Sequence, residues 1–307
     1  MAIGQFIKEF MGRPIRQYDP DEGLVKPAKY AWRLGSNYDD YEVDFDAQLA
    51  SLMVDARLSE LEVLVIGPWS QEMYDDDGAA VAEALVEHAA QLGALVGLFF
   101  GDITYEFSEI SWIHQSDLGP MVNALPGLRE FVARGGEGLR LEGLRAPSLE
   151  KLTVQTGGMS AEVVQDIVQA HLPNLVELEL WLGTEDYGGS SSVADLQPLL
   201  SGKAFPGLKA LGLKNCEHAD QIAEAVVTAP VTERLERLDM SMGSLSDEGA
   251  EHLLGSPSIA KLRTLDVSDN YLSSAMGERL AAHVSGTVSA WTDKEARDDW
   301  RYVTCGE

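Results

Sequence analysis

One six-residue phrase recurs along this chain and restricts its fold more than any other feature. The phrase is apolar, two variable, apolar, one variable, apolar. It reads LEVLVI from 61, LVGLFF from 95, LREFVA from 128 and LEKLTV from 149. It returns as LVELEL from 175, LKALGL from 208, LERLDM from 235 and LRTLDV from 262, at intervals of 21 to 34 residues. Self-similarity at such a period marks a chain of stacked units, none of which can bury its apolar face alone. The fourth and sixth positions alternate as in a strand, so both side chains point to one side. The first position enters the same core from the preceding turn. The fifth, seventh and eighth positions are left for the opposite face.

A helical pattern follows in matching register. Val163 and Ile167, Ile222 and Val226, Gly249 and Leu253, and Met276 and Leu280 are i, i+4 pairs at the same offset from the leading leucine. That spacing puts each pair on one helix face. Ser160 and Ser246 stand where helix N-caps are expected. Pro173, Pro206, Pro230 and Pro257 fall in the returns, where a helix must stop.

The segments LERLDMSMGSLSDEGAEHLL and LRTLDVSDNYLSSAMGERLA read as strand, turn, a leucine (Leu245, Leu272), then helix. Asn270 occupies the ninth position of its repeat and Cys216 the same position in the repeat at 208. On these residues the chain resembles the leucine-rich repeat proteins of the ribonuclease-inhibitor-like class. In that family the ninth residue is Asn or Cys and hydrogen-bonds the turn. The pattern departs at Trp69, Ile103, Gly136, Gly157, Gly183 and Gly243, so the match is tightest from about 205 to 285. The whole chain also resembles an uncharacterised bacterial leucine-rich-repeat family, through GDITYEFSEISWIHQSD, LWLGTEDYGG and LDMSMGSLSDEGA. The resemblance implies an α/β fold, a curved solenoid or horseshoe. A parallel β-sheet would line its concave face and helices its convex face. A doubly wound α/β sheet also alternates strand and helix, but no G-x-G-x-x-G or Walker motif follows the first strand.

Strands stack closer than helices, which bends such an array and gives eight strands a concave face about 34 Å long. Bare ends would expose core, so caps are expected. The expected domain is a single one over 1–307, with an N-terminal cap in 1–60, about eight repeats in 61–285 and a C-terminal cap in 286–307. KYAWRLGS would add a strand through Trp32 and Leu34, and VDFDAQLASLMVDARL a helix. TVSAW would continue the strand series, Thr292 with Glu295 would form a capping box, and WRYVTCGE would return as an edge strand.

The charge balance narrows the partners. The 307 residues carry 50 acidic and 23 basic side chains, a formal net charge of −27. Phosphate backbones are repelled, so nucleic acid is not expected and a protein or peptide with a basic surface is. Solubility alone also accounts for such a charge. Cys216 and Cys305 make neither a metal-type spacing nor a disulfide framework, which suits a reducing cytoplasm. No signal peptide or membrane-spanning run is read in the sequence, so a cytoplasmic location is expected.

The outward columns give the candidate surface. The fifth reads Val65, Phe99, Val132, Thr153, Glu179, Gly212, Asp239 and Asp266, apolar at one end and acidic at the other. Trp181, in the seventh column, would either stand in the open or fold against Tyr187. Loops after the strands add Trp69, Tyr74, Asp75, Asp76 and Asp77, then Asp102, Tyr105, Glu106, Glu109 and Trp112, then Tyr187. The expected partner-binding residues are Trp69, Asp102, Tyr105, Glu106, Glu109, Trp112, Trp181, Tyr187, Asp239 and Asp266. Asp102, Glu106, Glu109 and Asp117 offer hard oxygen ligands, but their spacing matches no EF-hand, and Ser116 or Asp117 can instead cap the next helix. His114 near Asp117 lacks a nucleophile motif. No catalytic, cofactor or metal residue is therefore assigned, and a non-enzymatic binding scaffold is expected. The alternatives are a divalent-metal-binding or hydrolytic accessory factor using 101–117, or a subunit that positions a neighbouring enzyme.

Overall fold

The computed structural model describes residues 3–36, 44–70, 73, 76–295 and 300–306. By internal contacts the chain forms two compact units, where the sequence reads as one unbroken series. The N-terminal unit holds 2–155 and 169–174, and the C-terminal unit holds 156–168 and 175–306. The division falls inside the repeats and not at a linker.

The N-terminal unit runs β1 (Glu9–Phe10), β2 (Arg13–Gln17), β3 (Ala31–Leu34), α1 (Phe45–Met53), β4 (Val63–Ile66), α2 (Ala79–Glu87), β5 (Gly97–Phe100), α3 (Gly119–Ala124), β6 (Glu130–Arg134) and β7 (Lys151–Gln155). The C-terminal unit runs α4 (Ala161–Gln169), β8 (Glu177–Gly183), α5 (Gln197–Leu200), β9 (Ala210–Cys216), α6 (Ala219–Thr228), β10 (Arg237–Asp239), α7 (Asp247–Leu254), β11 (Thr264–Asp266), α8 (Ser274–His283) and β12 (Thr287–Ser289). Within each unit the sheet order is the chain order, and every pair is parallel except β1 with β2.

The registers carry the repeat into three dimensions. Leu64, Leu98, Phe131 and Leu152 are direct neighbours across β4 to β7, and Leu178, Leu211, Leu238, Leu265 and Val288 across β8 to β12. All are fully buried or nearly so except Val288. The helix pairs Val163 and Ile167, Ile222 and Val226, and Met276 and Leu280 are buried as their spacing implies. Ser160 accepts from the Val163 N–H at 3.3 Å and Ser246 from the Gly249 N–H at 3.4 Å, capping α4 and α7.

The expected strand through Trp32 is β3, the expected helix after it is α1, and TVSAW supplies β12. The ends otherwise differ from expectation. Residues 9–17 form an antiparallel hairpin that the alternation did not reveal. Its two-residue turn, Met11 and Gly12, has φ of 51° and 70°, as a type I′ turn requires. Ile7, Phe10, Met11 and Ile15 pack on Ala31, Val63, Val65, Phe99 and Val132. The apolar end of the outward column is thus covered by the chain's own N-terminal segment. At the other end residues 301–306 form no edge strand. Residues 301–305 cross the turns after β9, β10 and β11. No capping box appears at Thr292, whose hydroxyl bonds the Asn270 carbonyl and accepts from the Lys294 N–H; residues 296–299 lie outside the described chain.

Candidate binding face of the C-terminal unit

The strand registers align Glu179, Gly212, Asp239, Asp266 and Ser289 in one row across β8 to β12, with Trp181 opposite Lys214 beside it. Successive strands lie about 4.8 Å apart, so these side chains are neighbours. Gly212 leaves space that its neighbours use: Lys214 reaches across to Glu179 at 3.7 Å and Asp239 at 3.3 Å. A Cβ on Gly212 would lie 3.0 Å from the Glu179 Cγ. The indole N–H of Trp181 donates to Glu179 at 2.8 Å, and the Lys214 ammonium sits 5.7 Å from the Trp181 ring centre. Asp239 and Asp266 each accept from the N–H two residues on, Ser241 and Ser268, at 3.0 and 2.9 Å. Burial works against the Lys214 charge, yet the carboxylates of Glu179, Asp239 and Asp266 outweigh it and hold the ammonium above the ordinary lysine value. Three carboxylates against one ammonium leave this row net negative.

The turns beyond the face are built around left-handed residues. Asn215, Met242 and Asp269, at the eighth position of consecutive repeats, have φ of 52°, 68° and 53°. The tail holds all three. The Asn215 side chain donates to the Cys305 carbonyl at 2.6 Å and accepts from the Cys305 N–H at 2.8 Å. The Thr304 N–H donates to the Met242 carbonyl at 2.8 Å, and the Thr304 hydroxyl donates to Asp269. Arg301 donates to Asp220 and to the Ser244 carbonyl, at 2.9 and 2.6 Å. Under the turns, Asn270 is fully buried. Its Nδ2 donates to the carbonyls of Met240, Val267 and Ser268, and its Oδ1 accepts from the Leu245 N–H. Cys216, at the equivalent position, accepts from the His218 N–H at 3.3 Å, and burial pushes its thiol up to about 12.

Several expected site residues are placed differently. Trp181 is 8% exposed and engaged with Glu179 and Lys214, so it does not stand in the open. Trp69 is 7% exposed: its indole N–H donates to the Asp76 carbonyl and its ring lies 5.5 Å from that of Phe100. Asp102 is wholly buried. It lies 3.5 Å from Arg33 and 3.3 Å from Arg134 and accepts from the Ile7 N–H, so no partner can reach it. Burial pushes the Asp102 carboxyl up, against the pull of both guanidinium groups, and lowers Arg33 to about 10. Phe6 lies over Arg33, 3.5 Å from guanidinium carbon to ring centre, so this ion cluster also holds the N-terminal segment.

Of the other candidates in the N-terminal unit, Tyr105, Glu106 and Trp112 are exposed and Glu109 is half-buried. In the C-terminal unit, Asp239, Asp266 and Tyr187 are half-buried. Tyr74 and Asp75 lie outside the described residues. The N-cap position of α3 is Leu118, which makes no side-chain cap, so neither Ser116 nor Asp117 is the helix cap; Asp117 accepts from the Gly119 N–H at 3.0 Å and from the Glu142 N–H at 3.1 Å. Sequence reasoning missed Arg301 and Thr304 as tail anchors, and Lys294, whose ammonium donates to the Gly243 and Tyr302 carbonyls at 3.1 and 3.3 Å. The signal available was Asn215 and Asp269 at one repeat position, since Asn and Asp favour left-handed turns.

Among the described residues one group brings metal-type donors together: Glu185, Glu217 and His218, within 4.8 Å of one another. The imidazole Nε2 lies 3.8 Å from Glu185 and 3.7 Å from Glu217. That geometry is an ion pair when the imidazole is protonated and a set of three ligands when it is neutral. The carboxylates of 101–117 do not join it.

Among the described residues no helix is long and apolar enough to cross a membrane. No protein-family model matches the chain. No curated protein matches it. Among solved structures it is similar to a protein from Bacteroides fragilis determined as a structural genomics target. The two are 32% identical and superpose with a TM-score of 0.80, the match covering 90% of this chain and 77% of that one. At that identity and coverage, this chain belongs to the family of the Bacteroides fragilis protein.

Proposed function

We propose that the chain is a leucine-rich repeat solenoid of the ribonuclease-inhibitor-like class. On this reading it is a non-enzymatic scaffold that binds a protein or peptide bearing lysine or arginine. The observation that carries the binding reading is the row Glu179, Asp239 and Asp266, held in register on one sheet face with Lys214 as its balancing cation. The class rests on the eightfold phrase, on the buried leucine registers, and on Asn270 hydrogen-bonding the turn as the class uses it. A half-buried carboxylate row strengthens contact with a cation relative to open water and selects against anionic partners.

The test is fluorescence anisotropy with a labelled lysine/arginine-rich peptide and its glutamate-substituted control. The parent should bind the basic peptide, more weakly as salt rises. The double variant D239N/D266N should lose about tenfold or more, on the scale of losing two charge contacts near a surface. Equal binding of both peptides, or no change in the double variant, refutes the reading.

A further inference from the structure

The last strand is left open in three ways. First, its outer edge has no partner among the described residues, for β12 ends the sheet order. On its inner side the Thr287 N–H and the Ser289 and Trp291 carbonyls are engaged with Arg263, Val267 and Asp269. Successive backbone groups alternate in direction, so the amide and carbonyl groups of Val288 and Ala290 face the open side. Second, the core is not closed there. Leu265 and Val267 are 0% and 1% exposed, while their counterparts Val288 and Ala290 are half-buried. Third, Trp291 is 66% exposed. At ~200 Å² of surface for a tryptophan, that leaves roughly 130 Å² of one aromatic side chain in water.

The charge pattern indicates what covers this end. Residues 284–292, VSGTVSAWT, contain no ionisable side chain, in a chain of formal net charge −27. A basic partner finds no carboxylate in that stretch to select it. A second acidic chain meets least repulsion there. The stretch is also complementary to itself. With a two-fold axis through Ser289, antiparallel pairing sets Val288 against the partner's Ala290 and Thr287 against the partner's Trp291. The outward-facing backbone of Val288 and Ala290 then falls in the hydrogen-bonded register, giving about four bonds across the axis. The half-open core positions meet on one side of the joined sheet, and Thr287 and Trp291 on the other.

We propose that the outer edge of β12 is a self-association surface, on which a second copy of this chain pairs its own β12 antiparallel and covers Val288, Ala290 and Trp291. Natural proteins rarely leave a flat, uncharged edge uncovered. This proposal is independent of the acidic-face reading, because peptide binding can be measured on W291A, which leaves the row from Glu179 to Ser289 unchanged.

The experiment is sedimentation equilibrium of the full chain at low salt and at about 0.5 M salt, where the screening length falls to about 4 Å. The expected result is a monomer–dimer equilibrium that tightens with salt, because screening relieves repulsion between two acidic bodies. S289K places two lysines face to face on the axis and should be monomeric at both salts, with thermal unfolding unchanged. W291A should weaken the dimer about tenfold, the scale of a central aromatic in an interface. A monomer under both salts, a dimer indifferent to both variants, or a dimer that dissociates as salt rises would overturn the proposal.

Discussion

Asn270 is the residue whose removal the C-terminal unit should feel most clearly. In N270A four hydrogen bonds disappear from a site with no exposure to solvent. They do not count equally. The Ser268 carbonyl keeps a second donor, the Met242 N–H at 3.0 Å. The Leu245 N–H and the Met240 and Val267 carbonyls lose the partner that Asn270 supplies. An orphaned buried polar group costs about 1–3 kcal/mol, so three such groups cost about 3 kcal/mol or more, with part recovered if water enters the space. For a unit of this size that lowers the melting temperature by about 10 °C. The assay is urea unfolding followed by circular dichroism, fitted with an unchanged denaturant slope so that the shift reports stability. N270D separates the donors from the acceptor. It keeps an oxygen for Leu245 but turns a carboxylate toward three carbonyls, so it should be at least as damaging. A loss below about 1 kcal/mol in N270A, or N270D milder than N270A, would refute the claim that the amide holds these turns together.

Other outcomes follow from the same geometry. K214M removes the balancing cation and should tighten binding of a lysine/arginine-rich peptide by about threefold to fivefold, the scale of one partly screened charge, read by anisotropy. The same variant tests a pH effect. The Lys214 pKa is raised in the fold, so its stabilisation is fully present below the unfolded value near 10.4 and is lost as pH climbs through the higher folded value. Parent and K214M melting temperatures should therefore draw together as pH climbs past the unfolded lysine value and through the higher folded one, and a constant difference would contradict this. F10A should cost about 3 kcal/mol or more, because Phe10 closes the apolar cluster with Val65, Phe99 and Val132. Urea unfolding of the N-terminal unit reads that loss, and a change under about 1 kcal/mol would show the cover to be loose. G183A should fail to fold or lose most of its stability, since Gly183 has φ of 70° and a Cβ there would stand 1.8 Å from the Gly157 carbonyl oxygen; a thermal melt matching the parent would contradict that contact.

The interior of both units was legible because burial depends on periodicity, and periodicity survives in sequence. Each fourth-position residue from Leu64 to Leu265 is buried as its place in the phrase implies. The candidate surface was less legible. The phrase tells which residues face away from the core but not what lies over them. Phe99 and Val132 face outward by register and are buried by Phe10, a contact between segments about ninety residues or more apart along the chain. Asp102 looked like a rim carboxylate because nothing local announces Arg33 and Arg134, each about thirty residues or more distant and apolar in its immediate setting. Trp181 was left between two readings for the same reason: its fate depended on Lys214, in the next strand. Glu179, Asp239 and Asp266 were readable because the residues that place them are their own strand neighbours.

The tail that joins Asn215, Met242 and Asp269 sets the order in which the C-terminal unit can be completed. Repeat arrays held only by adjacent contacts can assemble stepwise as they are synthesised, each layer resting on the one before. Here the turn after β9 draws two of its hydrogen bonds from Cys305, 90 residues further on. During translation the earlier turns, bonded to one another through the Asn215 and Met242 N–H groups, lack the tail's bonds until residues 301–305 have left the ribosome. Once docked, those few residues tie three layers to one fate, so unfolding of this unit should proceed as a single event instead of fraying repeat by repeat.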